Sequence, residues 1–366
     1  FILVKDVLQS LQQLAHHHRK QFDIPIIAIT GSNGKTTTKE LISAVLGSHY
    51  PTHFTKGNFN NHIGVPLTLL AMSADTEVAI IEMGANHVGE IAFLCEIAAP
   101  THGLITNIGK AHLEGFGGIE GVKKGKGELY RYLEKHKGLA FVNKSEQYLT
   151  EIAGSVLYKV FYTESLLPDL NVPIFETKLV AADPFVKIAY LSKKGVPQVI
   201  QSQLIGAYNF NNIMTAVTLG RYFKVPYEKI KAAIETYTPS NNRSQIVEKD
   251  TNKFLLDAYN ANPTSMKSAL ESFASYAENK KVAILGDMLE LGEFSEQAHR
   301  QIIELANQLG IEVLTVGKEF SKTEQAHVRH FINTSSLKDW FWQQQFEDTF
   351  FLLKGSRGIG LEKLLQ

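Results

Sequence analysis

Cysteine is almost absent from this chain: of 366 residues, only Cys95 carries a thiol. A single thiol rules out an internal disulfide, and a reducing compartment is the expectation. Cys95 stands in the apolar stretch IAFLCEIAAP with nothing cationic beside it to stabilise a thiolate, so it reads as packing on a helix. Charge of either sign in excess is missing too. Lys+Arg and Asp+Glu number 37 each, which removes the polyanion bias of nucleic-acid binders and argues against a DNA or RNA partner. No apolar run approaches the roughly 18 residues of a membrane span, and no charged-then-apolar leader opens the sequence. A cytoplasmic protein without membrane insertion is therefore expected. Tandem repeats and low-complexity tracts are also lacking. What remains is ordinary: 44% hydrophobic and 20% charged residues can bury a sizeable core, over a length that suggests about two or three domains.

The stretch AITGSNGKTTTKE, Ala28 to Glu40, reads as a phosphate-binding loop in a shortened spelling. The usual G-x-x-x-x-G-K-[ST] needs a glycine where Ile29 stands; here the first glycine is Gly31 and the pattern is T-G-x-x-G-K-T-T. A β-branched run, IPIIAIT, precedes it and an amphipathic helix, KTTTKELISAVLGS, comes after. Strand, glycine loop and helix form the context in which such a motif holds phosphate. Backbone N–H groups of Ser32, Asn33, Gly34 and Lys35 can face phosphate oxygens, with the positive end of the helix and its Thr36 and Thr37 behind them. Gly31 and Gly34 let the backbone approach without a Cβ in the way. Lys35 supplies a cation for the terminal phosphates and Thr36 a hydroxyl for magnesium.

EVAIIEMG and HGLITNIG repeat the pattern of a buried strand with polar residues at its carboxyl end, followed by helical sequence. Such alternation implies a parallel sheet with helices on both faces, and ligands off the carboxyl ends of its strands. Between Val156 and Leu204, PFVKIAYLS and PQVIQSQLIG flank the turn signal KKG and predict an antiparallel hairpin appended to that sheet. TPSNNRS, Thr238 to Ser244, is the most linker-like segment. Beyond it KFLLDAYNANP, KVAILGDM, IEVLTVG and TFFLLKGS announce a second α/β unit. The expected division is residues 24–238 as a central P-loop-type, parallel-sheet ATPase domain with an antiparallel β appendage, and 239–366 as a Rossmann-like α/β domain. Residues 1–23, which begin FILVKDVLQSLQQLAHHHRK, read as a strand and linker helix left from a domain upstream of Phe1. The run His16, His17, His18 reads as a solvated helix end.

Three further residues invite chemistry. Glu82 ends the strand AIIEMG, where a carboxylate suits magnesium and equally suits a helix cap. His112 follows the next strand in TNIGKAHLEGFG, on the same edge, as a ligand or a structural histidine. Lys123, Lys124 and Lys126 crowd the head of a helix in GVKKGKGELYRYL. They suit a solvated or phosphate-steering face; a buried lysine with a lowered pKa could instead take up carbon dioxide as a carbamate, an anionic oxygen ligand.

Taken together, TGSNGKTT, GNFNNHIGVPLT, IIEMGA, ITNIGKAHLEGFG, KGKGEL, GAYNFNN, NNRSQIVE, DAYNANPTSM, LGDMLELG and KGSRG resemble, in order and spacing, the Mur ligase family over nearly the whole chain. NFNN, YNANP and GDMLELG look most like its MurF type, which adds D-alanyl-D-alanine to UDP-N-acetylmuramoyl-tripeptide. The resemblance implies an ATP-dependent amide-bond ligase of peptidoglycan and cell-wall synthesis, acting as a monomer through an acyl phosphate. It implies phosphate and magnesium contacts for Lys35 and Thr36, two-magnesium ligands in Glu82 and His112, and a carbamylated lysine at Lys126, the lysine just before G-E-hydrophobic. It further implies adenine-side roles for Asn209 and Asn212, closure on the nucleotide by Arg243 and Asp257, and substrate contacts for Asn60, Asn61, Asn260 and Asn262. Asn60 and Asn61 also read as simple turn residues, and Asp287 of GDMLELG receives no role. The family has an amino-terminal domain for the UDP end of its substrate, and this sequence is expected to start where that domain finishes. Competing readings are a related peptide ligase of the folylpolyglutamate or cyanophycin synthetase kind, against which YNANP with GDMLELG argues, and a P-loop nucleotide switch.

Overall fold

The computed structural model describes residues 3–165, 174–192, 195–239, 243–278, 280–323 and 328–366. Its strands form two sheets. The first contains β1 (Ile26–Thr30), β2 (Thr52–Phe54), β3 (Val78–Glu82), β4 (His102–Ile105), β5 (Leu139–Asn143), β6 (Tyr158–Glu164), β7 (Ile174–Ala181), β8 (Phe185–Leu191) and β9 (Pro197–Ile205), ordered β2-β3-β1-β4-β5-β6-β7-β8-β9. Neighbours from β2 to β7 run parallel. The last pairs, β7 with β8 and β8 with β9, are antiparallel, so the expected hairpin is present as the end of a longer sheet. Lys193 and Lys194 of its KKG turn lie outside the described residues.

The second sheet contains β10 (Gln245–Lys249), β11 (Asn252–Leu256), β12 (Lys281–Gly286), β13 (Glu312–Val316), β14 (Arg329–Phe331) and β15 (Phe350–Lys354), ordered β10-β11-β15-β12-β13-β14. It is parallel except for the edge pair of β10 with β11. Of the linker-like TPSNNRS, residues 240–242 lie outside the described residues.

Strand periodicity sorts the core into layers. In β1, Ile26 and Ala28 face one apolar cluster while Ile27 and Ile29 face another against the helices Lys35–Gly47 and Phe210–Tyr222. In β12, Ala283 and Leu285 join the cluster that holds Ile26 and Ala28, and Val282 and Ile284 point the other way. Strands buried on both faces read as unbroken apolar runs, the mark of parallel sheets between helical layers. One cluster thus continues from the first sheet into the second and fixes the faces that border the cleft.

The opening segment departs from its sequence reading. Leu3 is fully exposed and the residues before the helix Val7–Arg19 form no strand among those described. Of the three histidines only His17 is exposed as a solvated end would be; His16 Nδ1 bonds Ile97 O at 3.1 Å and His18 Nε2 bonds Met72 O at 3.1 Å. Arg19 is buried, donating to Ala98 O and Ala99 O. The helix is pinned by its polar side chains, a contact that the pattern of apolar residues does not announce.

Candidate functional site

Strand β1 lies between β3 and β4, so successive connections leave it to opposite sides and a crevice opens at the carboxyl ends of these strands. The glycine loop fills the end of β1. Gly31 and Gly34 have φ of 142° and 77°, and a Cβ on Gly31 would lie 2.0 Å from Thr106 Oγ1. Only glycine fits both the dihedral and the space. The loop is held from the β4 side: Thr106 Oγ1 donates to Asn33 O at 2.6 Å, Asn33 N donates to Asn107 Oδ1 at 2.9 Å, and Gly109 N donates to Ser32 Oγ at 2.9 Å. Lys35 Nζ folds back to donate to Gly31 O at 2.7 Å and Ser32 O at 3.2 Å. Burial lowers its pKa, with Glu82 opposing. These are weak anchors for a cation, and an anion in the loop would replace them.

Glu82, at the end of β3, is 1% exposed. Its Oε1 accepts from Thr36 Oγ1 at 3.2 Å and Asn60 Nδ2 at 2.8 Å, while its buried Oε2 accepts no hydrogen bond among the described residues. The nearest cation is Lys39 Nζ, 3.8 Å from Oε2 and itself 1% exposed. A carboxylate with one oxygen secured and one bare is a candidate ligand for a hard cation, and no helix-cap bond engages it. Asn60 therefore orients Glu82, whereas Asn61 is a turn residue whose Oδ1 accepts from Ile63 N and Gly64 N.

His112 has a positive φ of 53° and its Nδ1 contacts Glu290 Oε2, on a loop after β12. The hydrogen bond to His112 lowers the Glu290 pKa. Lys126 closes the helix Ile119–Lys126, so it ends one helix just before Glu128–Lys135 begins, rather than heading one. Of the three lysines it alone is buried, at 1% exposure; Lys123 pairs with Glu120 on the surface. Lys126 Nζ donates to Ala85 O at 2.9 Å, and burial, aided by Lys35, drives its pKa well down. Among the described residues no three His, Cys, Asp or Glu side chains form a ready metal cage.

The second sheet supplies the opposite wall of a cleft of about 870 Å³, lined on one side by Lys35, Glu82, His112 and Asn212 and on the other by Arg243 and Asp257. Arg243 stacks on the Tyr259 ring, Cζ to centroid 3.5 Å, and Asp257 Oδ2 accepts from buried Lys354 Nζ at 2.5 Å. Asn209 Nδ2 donates to Ile205 O and Ser244 Oγ; its Oδ1 accepts from Asn212 Nδ2 at 2.8 Å. Asn212 Oδ1 accepts from Thr38 Oγ1 at 2.9 Å beside Gly34, which ties this asparagine pair to the phosphate loop. Asn260 lines the cleft. Asn262 caps the helix Pro263–Ala274 and reaches back, Nδ2 donating to Asn33 Oδ1 at 2.7 Å.

Several residues escaped the sequence reading. Lys39, in the phosphate-loop helix, is buried behind Glu82; Glu290, in the motif GDMLELG, and Glu146, after β5, line the cleft. Asp287 of that motif is structural: its carboxylate accepts from Glu319 N at 2.9 Å and Phe320 N at 3.0 Å. Cys95 is buried, and burial raises its pKa, as expected of packing.

Residues 29–220 match the Mur ligase middle domain, and residues 242–348 match the Mur ligase, glutamate ligase domain. The UDP-N-acetylmuramoyl-tripeptide--D-alanyl-D-alanine ligase of Bacillus subtilis is 34% identical, over all of this chain and 80% of its own length. The enzyme of the same name from Escherichia coli is 32% identical over 100% of this chain and 81% of its own. Among solved structures, MurF from Acinetobacter baumannii superposes with a TM-score of 0.89 at 29% identity, covering 100% of this chain and 81% of that one. MurF ligase from Thermotoga maritima, in complex with ADP, shares the fold with a TM-score of 0.87 at 23% identity, over 100% of this chain and 84% of that one.

Proposed function

This chain belongs to the Mur ligase family, and from that premise we propose that it joins D-alanyl-D-alanine to the terminal carboxylate of UDP-N-acetylmuramoyl-tripeptide at the expense of ATP, in the cytoplasmic synthesis of peptidoglycan precursors. The observation that carries the chemistry is Glu82: a buried carboxylate with one bare oxygen, beside a phosphate loop and facing a second sheet across the cleft.

ATP and magnesium serve the reaction. Thr36 and Glu82 offer the hard oxygen donors that suit magnesium, with His112 further along the same cleft, and the ion when bound neutralises charge on the phosphate oxygens. Lys35 leaves the carbonyls of Gly31 and Ser32 for the terminal phosphates, and the loop amides hold the rest. A carboxylate is a poor electrophile, so the substrate carboxylate oxygen attacks the γ-phosphorus, the bond to the bridging oxygen breaks, and ADP leaves. The amine of D-alanyl-D-alanine then attacks the acyl carbon, loses a proton, and the tetrahedral intermediate expels phosphate. The chain's contribution is to hold two anions and an amine together and to keep water from the acyl phosphate. Arg243 and Asp257 close the nucleotide side, and Asn60, by fixing Glu82, links the substrate side to the phosphates. Asn61 and Asn260 border the substrates, Asn262 acts on them through the phosphate loop by way of Asn33, and both sheets of one chain complete the cleft, as a monomer requires.

Lys126 is the modified lysine in this reading. A neutral amine attacks carbon dioxide, an N–C bond forms and a proton leaves, giving a carbamate. Burial that depresses its pKa supports this, as does its seat behind Ala85. Lys126→Ala is expected to lose activity that small carboxylic acids partly restore; full activity without them rejects the carbamate.

The deciding experiment is mass spectrometry of a reaction with ATP, magnesium, UDP-N-acetylmuramoyl-tripeptide and D-alanyl-D-alanine. A product heavier by one dehydrated D-alanyl-D-alanine, formed only with every component present, establishes the ligase. ADP release without a new amide points to another acceptor or to a nucleotide switch. A folylpolyglutamate synthase from Mycobacterium tuberculosis shares the fold at 14% identity, with a TM-score of 0.72.

A further inference from the structure

Glu146 is a cleft residue that the mechanism leaves unused. It lies in the turn that follows β5, its main chain fixed on both sides: Glu146 N donates to Asn143 O at 3.3 Å, and Leu149 N donates to Glu146 O at 3.3 Å. Its side chain is mostly buried and lines the cleft, yet no hydrogen bond or cation engages the carboxylate among the described residues. Burial alone raises its pKa to about 7. A half-buried carboxylate that no donor of the fold engages is free to accept a hydrogen bond from a ligand in the cleft.

The neighbourhood says what kind of donor. Asn211, on the helix Phe210–Tyr222, lines the same cleft; its Oδ1 accepts from Asn143 Nδ2 at 3.3 Å, which leaves its Nδ2 without a partner among the described residues. Asn143, the last residue of β5, thus joins the two: it anchors the main chain of Glu146 and turns the amide of Asn211. An acceptor and a donor are offered together. Adenine presents the complement, an exocyclic amino group beside a ring nitrogen, whereas a 6-oxo purine presents a carbonyl oxygen that the carboxylate repels. Position agrees. β5 is two strands from β1, which carries the phosphate loop, or about 10 Å at the usual strand spacing. That separation lies beyond the ribose, which is joined directly to the α-phosphate.

We propose that Glu146 and Asn211 read the base of the nucleotide, Glu146 accepting from the 6-amino group of adenine and Asn211 donating to the adjacent ring nitrogen, so that this pair sets the preference for ATP over 6-oxo purine triphosphates. It rests on the proposed ligase reading, in which ATP occupies this cleft.

The test compares kcat/KM for ATP, for purine riboside triphosphate, which lacks only the amino group, for inosine triphosphate and for 2′-deoxy-ATP. The whole chain and its Glu146→Ala and Glu146→Gln variants are assayed. The unaltered chain should prefer ATP to purine riboside triphosphate by roughly 10- to 100-fold, the range of a hydrogen bond to a charged group. Glu146→Ala should erase that preference by lowering kcat/KM for ATP alone. Glu146→Gln, whose amide can donate to a carbonyl, should raise the ratio of inosine triphosphate to ATP. A preference for the amino group that survives Glu146→Ala overturns the proposal, as does loss of the 2′-hydroxyl preference in its place, or a rise confined to the KM of the peptide substrates. If the unaltered chain turns over no nucleotide at all, the ligase reading fails, and the failure is then seen before any variant is compared.

Discussion

Lys35 and Glu146 are buried or half-buried ionisable groups that meet the same cleft with opposite consequences. Among the described residues Lys35 donates to two carbonyl oxygens, with the Glu82 charge nearby, so its value lies in the phosphates it can receive. Lys35→Ala should abolish ADP release, by at least about 100-fold as for loss of other charge-stabilising donors, with the chain still folded by circular dichroism. Persistent ADP release would remove Lys35 from the chemistry. Glu146 makes a claim about stability. Its folded pKa, about 7, stands above that of an unfolded glutamate. Below pH of about 4.5 both states are protonated and there is no penalty. As pH rises, the unfolded state ionises first, and stability falls by up to about 1.4 kcal/mol per pH unit until the folded group also ionises. Glu146→Gln should therefore match the unaltered chain in urea unfolding at pH 4 and exceed it by at most about 3 kcal/mol at pH 8. A variant that is less stable at pH 8 would mean that the carboxylate has a partner in the fold. At this scale the sequence was read unevenly. Lys35 was legible because strand, loop and helix are adjacent in the chain. Glu146 and Glu290 were not, because what marks them, a missing partner in one and a histidine from the other sheet in the other, is decided by packing between distant segments.

At the scale of elements, the helix Pro263–Ala274 begins with Asn262, whose Oδ1 accepts from Ser265 N at 3.0 Å while its Nδ2 reaches Asn33 in the phosphate loop. One side chain thus caps a helix of the second sheet and braces a loop of the first. The two roles can be separated. Asn262→Ala should destabilise the chain by about 1 kcal/mol in urea, the usual effect of a lost cap, and should raise the KM for ATP. Asn262→Ser keeps a capping oxygen but has no amide to donate, so it should recover stability without recovering the KM. Equal recovery of both would reduce Asn262 to a cap. The strand in KFLLDAYNANP was legible from its apolar run, whereas Asn262, read only as a substrate contact, shows its capping role once the helix Pro263–Ala274 is seen. The opening helix shows the limit: its docking depends on His16, His18 and Arg19 bonding carbonyls of a neighbouring layer, and polar residues that bond main-chain oxygens look in sequence like residues that face water.

Over the whole molecule, the cleft exists because the second sheet rests on the loops of the first, through Asn262 on Asn33, Thr264 Oγ1 accepting from Lys110 N at 3.0 Å, and Glu290 on His112. These polar bridges stand beside the apolar cluster that both sheets share, and polar contacts of this kind suit a cleft that must open to exchange substrates and close to exclude water. The division into two α/β units was visible in the alternation of strand and helix patterns, but the way they face each other was not, since residues such as Glu114 and Gly292 meet only through the fold. Their meeting provides a lock. A Cβ built on Gly292 would lie 3.3 Å from Glu114 Cβ, close to the separation of about 3.8 Å found in disulfides. Both positions are exposed, whereas Cys95 is fully buried and will not compete. Gly292 has a φ of 55°, so a side chain there should cost about 1 to 2 kcal/mol, small enough for the fold to survive. The double variant Glu114→Cys with Gly292→Cys should form an intramolecular disulfide under mild oxidation, seen by mass spectrometry as the loss of two hydrogens. Oxidised, it should carry out at most a single turnover, because products cannot leave; reductant should restore multiple turnover. A disulfide that forms and leaves the steady-state rate intact would show that exchange of substrates needs no separation at this contact, and failure to form one would show that the two sheets do not rest on each other in this way in solution.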